Sequence, residues 1–289
     1  AGVEAKLILH LYGGESTGFS SSNNMVVSSD YAPNSYSGGV NAQAGQDTLT
    51  AYNAGIFNVG DHVLIHQTVG NDAGRWELNA VQGIQGNTLV LAKSLEDTYV
   101  TDHGSGIFAQ LVVASSFNQL EVINGGVLRP GAGVPCGYDQ NFHGGIVYIR
   151  ARTVAVKSGG VIAADGTHTN SGYGGYCGGP NGWSGNSSMY ARPGDSYCGI
   201  DTTWAQQANC SGGGGGRTYG GHCSNDDNQS GSGGGNKTAG ENPTNGNGQW
   251  GDQGQAWGTE GDGLLKMGGG GGSCYHRGGG RGRQLGAGS

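Results

Sequence analysis

Charge is scarce in this chain. Only 12% of its 289 residues are Asp, Glu, Lys or Arg, and they leave a net charge of −7. That balance excludes a broad basic face for nucleic acid, and the sole basic cluster is local: His276, Arg277, Arg281 and Arg283. Apolar residues are scarce too, at 34%, and no apolar run is long enough to cross a membrane. Proline is held to six residues and glycine keeps no strict three-residue period, which excludes collagen. No segment shows a helical apolar period with caps. Low hydrophobicity alone would suit disorder, but disorder comes with high charge and few aromatics. Here 13 Tyr, 5 Trp and 5 Phe accompany few charges, the composition of an ordered, neutral-polar β protein.

Cysteine is absent before position 136. The six that follow are Cys136, Cys177, Cys198, Cys210, Cys223 and Cys274. No Cys-x-x-Cys pair occurs, so a zinc site is not indicated. An even count at wide spacing reads as three disulfides formed in an oxidising compartment, with connectivity open. The chain is therefore expected to be secreted and extracellular. Four Asn-x-Ser/Thr sequons, at Asn186, Asn209, Asn228 and Asn236, are candidate glycosylation sites in that setting. A segment so rich in Asn, Ser and Thr also generates sequons by chance. If all six cysteines are bridged, Cys136 pairs with a later one and tethers the two halves.

What the chain has in plenty is glycine, 64 residues, with 39 of them in 167–289. The first 166 residues read as short strands: Glu4–Tyr12, Gln46–Tyr52, Asp61–Thr68, Trp76–Val81, Thr88–Leu91, Ile107–Ala114, Leu120–Ile123 and Val127–Leu128. Gly13–Gly39 reads as loop, and Gln85-Gly86-Asn87 as a tight turn. Gly144–Gly166 holds three further runs, Ile146–Arg150, Thr153–Val156 and Val161–Ala164. An "apolar, Asn-Gly-Gly, apolar" pattern at Val122–Leu128 returns as Ser-Gly-Gly within Val154–Ile162, as loose repeats of stacked rungs do. The expected fold is all-β, a β-helix (solenoid) or sandwich over 1–166. An ordered, disulfide-stapled glycine-rich module resembling a bundle of polyglycine helices is expected over 167–289. Ordering it requires disulfides and aromatic contacts to offset the entropy that glycine loses; the other reading is a flexible linker.

Several motifs in fixed order carry a resemblance. Gly60-Asp61-His62-Val63-Leu64-Ile65-His66-Gln67-Thr68 is followed by Gly74-Arg75-Trp76-Glu77-Leu78, by Asn87-Thr88-Leu89 and by Tyr99. Gly144–Gly166 comes next, then Trp257-Gly258-Thr259, Leu264, Leu265 and Gly268–Gly272. Over about residues 45–289 this resembles glycine-rich extracellular β-helix or adhesin-like surface proteins of bacteria and viruses. The resemblance implies a structural or adhesive role. The six cysteines and the sequons depart from the bacterial pattern.

Catalytic signals are thin. His62 and His66 are four apart on a strand and so share a face, which could serve a metal or a substrate, but no third ligand is evident; histidines facing outward from a strand are the plainer reading. Carboxylates that could pair for glycoside hydrolysis are Glu96, Asp97, Asp102 and Asp139, then Asp226 with Asp227 and Glu260 with Asp262. All lie in turn-like contexts, where Asp is favoured for backbone bonding. No Gly-x-Ser-x-Gly elbow and no Gly-Lys-Ser/Thr phosphate loop is present. Trp183, Trp204, Trp250 and Trp257 could stack on sugars or on a protein partner, or could fill gaps between glycine chains. The expectation is a non-enzymatic structural or adhesive protein without cofactor or metal. It would act as a filament or matrix subunit assembling by backbone hydrogen bonds, with the strand Lys6–Tyr12 offered to a neighbour. Its partners would be copies of itself or an extracellular glycan or surface, not nucleic acid or membrane. A carbohydrate-binding adhesin and a polysaccharide-degrading β-helix enzyme are the alternatives.

Overall fold

The computed structural model describes residues 23–131, 144–163, 198, 239, 255–256 and 263–265. The strands expected over Glu4–Tyr12 and almost all of the glycine-rich module lie outside them. The described residues are all-β, with a single 3-10 turn, Ala54–Ile56. In chain order the strands are β1 (Asn24–Val27), β2 (Asp30–Tyr31), β3 (Tyr36–Ser37), β4 (Asn41–Ala42), β5 (Thr48–Thr50), β6 (His62–Val69) and β7 (Trp76–Gln85). They continue with β8 (Thr88–Leu91), β9 (Phe108–Val113), β10 (Ser115–Val122), β11 (Val127–Leu128), β12 (Ile149–Val156) and β13 (Val161–Ile162).

Two arrangements coexist. β1, β10 and β12 form one parallel sheet, and β2, β11 and β13 form another, each in that spatial order. Every pair from Ser115↔Ile149 to Leu128↔Ile162 is 34 positions apart, so β10–β11 and β12–β13 stack as whole units, turn included. The turns themselves bond: the Gly125 amide donates to the Gly159 carbonyl at 3.1 Å, and the Val161 amide to the Gly126 carbonyl at 2.9 Å. This is why the two Gly-Gly pairs recur. A Cβ on Gly126 would stand 2.1 Å from the Val27 carbonyl oxygen, and one on Gly160 would stand 2.4 Å from that of Val122. Between the sheets lies a core of Val27, Phe117, Leu120, Val122 and Leu128.

Residues 32–114 leave the first unit and return to the second. They build a seven-stranded antiparallel sheet, ordered β3-β9-β6-β7-β8-β5-β4. Its two terminal strands belong to one segment, residues 36–42, so the sheet curls back on itself, although the ladder is not continuous all the way round. The inner face packs Leu49, Val63, Ile65, Leu89, Tyr99 and Leu111 into a core. The β7–β8 hairpin closes through Gly86-Asn87 with Gly86 at φ +60°, the left-handed turn that the sequence indicates.

Two expectations are corrected. Gly13–Gly39 is not simply loop, for β1, β2 and β3 lie in it. These strands are too short to show a period, and β1 and β2 take their partners from residues far along the chain. Ile146–Arg150 and Thr153–Val156 are not two strands either. They merge into β12, because the pairing with β10 carries on past Arg152.

Candidate functional site

The outer face of β6 and β9 is where distant parts of the chain converge. Strand alternation sends Val63 and Ile65 inward and leaves His62, Leu64 and His66 on the outer face. There Leu64, Val69, Phe108 and Val112 pack with Ile146, and Trp76, Tyr148 and Leu265 border them. Polar residues also lie within this apolar surface. His66 of β6 and Gln110 of β9 face each other directly across the ladder, and both are fully buried. Buried polar groups need partners, and each of these takes its partner from a different remote segment.

Gln110 holds residue 144. Its Nε2 donates to the Gly144 carbonyl at 3.1 Å, and its Oε1 accepts the Gly144 amide at 2.6 Å. Two more side chains hold the same segment at every second residue. The Tyr36 hydroxyl donates to the Ile146 carbonyl at 2.6 Å and accepts the Gly131 amide at 3.1 Å. Asn34 accepts the Tyr148 amide at 3.0 Å and donates to the Tyr148 carbonyl at 2.6 Å and to the Val113 carbonyl at 2.8 Å. Side chains thus stand in for a strand along residues 144–148 and fix β12 against the curled sheet. Burial pushes the Tyr36 phenol up to about 12, so it remains a donor.

His66 holds residue 265. Its Nε2 lies 2.7 Å from the Leu265 carbonyl, and its Nδ1 lies 3.1 Å from the Thr68 hydroxyl. A carbonyl only accepts, so Nε2 carries the proton and Nδ1 accepts from Thr68. Burial holds this imidazole down to about 4, against the opposing pull of the Leu265 carbonyl. It is neutral wherever the fold is intact near neutral pH. The Leu265 amide donates to the Gly74 carbonyl at 2.8 Å, and Trp76 Nε1 donates to the Gly263 carbonyl at 2.8 Å. Gly263 and Leu265 are therefore held by hydrogen bonds to an indole, an imidazole and a backbone carbonyl. The Leu265 side chain closes the apolar surface.

The other expected site residues fall as follows. His62 shares the face of His66 but is only half-buried; burial first, then Arg150, lower its pKa, while Asp61 raises it. The expectation of surface histidines is corrected for His66: it lies on the outer face of the strand but the remote segment covers it. Among the described residues no group of three or more His, Cys, Asp or Glu could hold a metal ion. Asp97 pairs with Arg75 at 3.5 Å, and Asp102 bonds within its own turn to Gly104 and Ser105. Glu96 contributes its amide to Glu77. Cys198 is disulfide-bonded. Cys136, Cys177, Cys210, Cys223 and Cys274 lie outside the described residues, as do Asn186, Asn209, Asn228 and Asn236. So do Trp183, Trp204, Trp250 and Trp257, and Asp139, Asp226, Asp227, Glu260 and Asp262. Sequence reasoning missed Asn34, Tyr36 and Gln110. Gln110 could have been found, since it interrupts the apolar run Phe-Ala-Gln-Leu-Val-Val of β9.

No family model matches the chain, and no curated protein matches it. Among solved structures it is similar to the Gp54 tailspike of Acinetobacter baumannii bacteriophage AP22, which was solved in complex with A. baumannii capsular saccharide. That match has 11% identity and a TM-score of 0.23, and it covers 56% of this chain and 28% of the tailspike. The matched part thus spans little more than a quarter of the tailspike's length, and a TM-score of 0.23 does not define a shared fold.

Proposed function

We propose that this protein is a secreted, non-enzymatic structural or adhesive subunit that assembles by adding strands to the end of its parallel stack. On this reading the β1–β2, β10–β11 and β12–β13 units are rungs of a β-solenoid, and 167–289 is an ordered glycine-rich module. The carrying observation is a change of burial along one column. Met25, Leu120 and Val154 are in register across the three strands, as are Val27, Val122 and Val156. Leu120 and Val122 are fully buried, whereas Val154 is 43% and Val156 is 50% exposed. Paired residues of a sheet point to the same face, so these valines occupy core positions of a layer that nothing described covers. The occupant that fits is β1 of a second copy. It runs parallel to β12 and already presents Met25 and Val27 to the same column. Repetition of that contact is head-to-tail and gives a filament rather than a closed dimer. Secretion is supported by the even cysteine count and by bridged Cys198.

Sedimentation velocity and electron microscopy of the purified chain across a concentration series test this reading. Elongated oligomers are expected, and Val154→Lys with Val156→Lys should return them to monomers. A wild-type protein that stays monomeric at all concentrations would sink it.

A further inference from the structure

Three described hydrogen bonds to Gly263 and Leu265 have the pattern of a recognition site rather than of ordinary core packing. All three meet main-chain atoms of the segment: the Gly263 carbonyl, the Leu265 amide and the Leu265 carbonyl. Two of its residues are constrained by type in the described contacts. Gly263 sits at φ +74°, which side-chain-bearing residues rarely adopt. Leu265 puts its side chain into the apolar cluster with Val69, Phe108 and Ile146. The receiving groups come from β6, from Gly74 and from Trp76 at the start of β7, nearly two hundred residues earlier. In sequence terms the tripeptide is a ligand that happens to be tethered. Main-chain hydrogen bonds combined with a pocket for one side chain are a recurring means by which proteins read peptides.

We propose that the surface formed by Gly74, Trp76 and His66 is a peptide-recognition site for a Gly-x-Leu tripeptide bent at its glycine, and that Gly263–Leu265 of this chain is its resident occupant. The Trp76 indole reads the glycine carbonyl. The Gly74 carbonyl and the His66 imidazole read the two polar groups of the leucine main chain, and the apolar surface between β6 and β9 reads the leucine side chain. This assignment does not rest on assembly at β12, which lies on a different part of the fold.

The test uses the full chain and a fluorescein-labelled peptide with the sequence of residues 259–268. In Leu265→Asp the resident is expelled, and anisotropy should show saturable binding of the peptide. Wild type, already occupied, should bind it at least tenfold more weakly. Trp76→Phe in the Leu265→Asp background should weaken binding several-fold, and a peptide with Asp in place of its second leucine should not bind. Gly263→Val is a second way to empty the site and should behave like Leu265→Asp. Near-UV circular dichroism reports whether each variant is folded. The proposal is overturned if the folded variants do not bind the peptide, if wild type binds it equally, or if the Asp-bearing peptide binds as well. Loss of the native fold in both emptied variants would also overturn it, because the segment would then be part of the core and not a ligand.

Discussion

His66 and Gln110 are opposed across the β6–β9 ladder, and between them they hold two backbone segments that come from remote parts of the chain. Neither residue touches solvent. Each is a polar group committed to a main-chain partner inside an apolar face. Such an arrangement stabilises only while both partners are present, since an orphaned buried donor or acceptor costs about 1–3 kcal/mol.

Gln110 is therefore expected to be sensitive to truncation. Gln110→Ala strands both the amide and the carbonyl of Gly144, and should lower unfolding stability by about 2–4 kcal/mol. Gln110→Leu fills the space but leaves the same two groups unpaired, so it should restore little. Urea unfolding followed by tryptophan fluorescence measures both. A loss under about 0.5 kcal/mol in either variant would mean that water replaces the side chain.

The state of His66 gives stability a defined pH dependence. Its pKa is about 4 in the fold, against 6.5 in the unfolded chain, with burial as the chief cause. Between those values the unfolded state binds a proton that the folded state does not. Stability therefore rises with pH across this window, is complete above it, and is lost as pH falls from 6.5 towards 4. The slope from one such group is at most about 1.4 kcal/mol per pH unit. His62 is shifted in the same direction and adds to the slope, while the lowered pKa of Asp102 acts only below the window. Denaturant midpoints from pH 4.5 to 7.5 should show the rise, and His66→Gln should flatten most of it. An unchanged slope in that variant would place the proton uptake elsewhere.

The paired glycines separate steric need from conformational need. Gly126 and Gly160 sit under the carbonyl oxygens of Val27 and Val122, closer than any Cβ could approach. Gly86 has a left-handed φ but open space around it. Gly126→Ala and Gly160→Ala must push two stacked units apart and should each cost about 3 kcal/mol or more, in the range of severe backbone and packing defects. Gly86→Ala should cost only about 1 kcal/mol, the ordinary price of a left-handed alanine. Thermal melts of the three variants decide this, and equal losses would contradict the stacked-turn geometry.

These glycines were legible in the sequence, and the tertiary docking was not. The Asn-Gly-Gly and Ser-Gly-Gly repeats announced stacked turns because a close backbone approach admits no other residue type. β6 and β8 were legible because each holds an apolar, β-branched run bounded by turn residues, whereas β7 was expected only over Trp76–Val81 and runs on to Gln85. β1 and β2 were not, since a strand of two to four residues is defined by its partner, and the partners of these two lie in β10 and β11. The docking of Leu265 on His66 left no periodic trace. It depends on one leucine in a glycine-rich stretch, and no spacing rule connects positions 66 and 265. The same holds for Asn34 and Tyr36, whose side chains replace a strand that sequence pattern would look for in backbone alone.

Tyr99 offers a test in the opposite direction, where removing a polar group should help. Its ring is fully buried in the core of the curled sheet, and its hydroxyl has no hydrogen-bond partner among the described residues. The Glu77 carboxylate lies beside it and accepts the amides of Glu96 and Asp97 at 3.1 and 3.3 Å, and the hydroxyl falls just short of hydrogen-bond geometry to it. Burial, with the charges of Glu77 and Asp97 behind it, pushes the phenol well above its ordinary range, so it stays protonated. An unpaired buried hydroxyl costs about 1–3 kcal/mol, and an isosteric ring without it carries no such cost. Tyr99→Phe should therefore be neutral or stabilise the protein by up to about 1 kcal/mol, while Tyr99→Ala, which empties the core, should cost about 3–5 kcal/mol. If Tyr99→Phe instead destabilises by more than about 1 kcal/mol in urea unfolding, then the hydroxyl donates to Glu77 in solution and the carboxylate serves three donors.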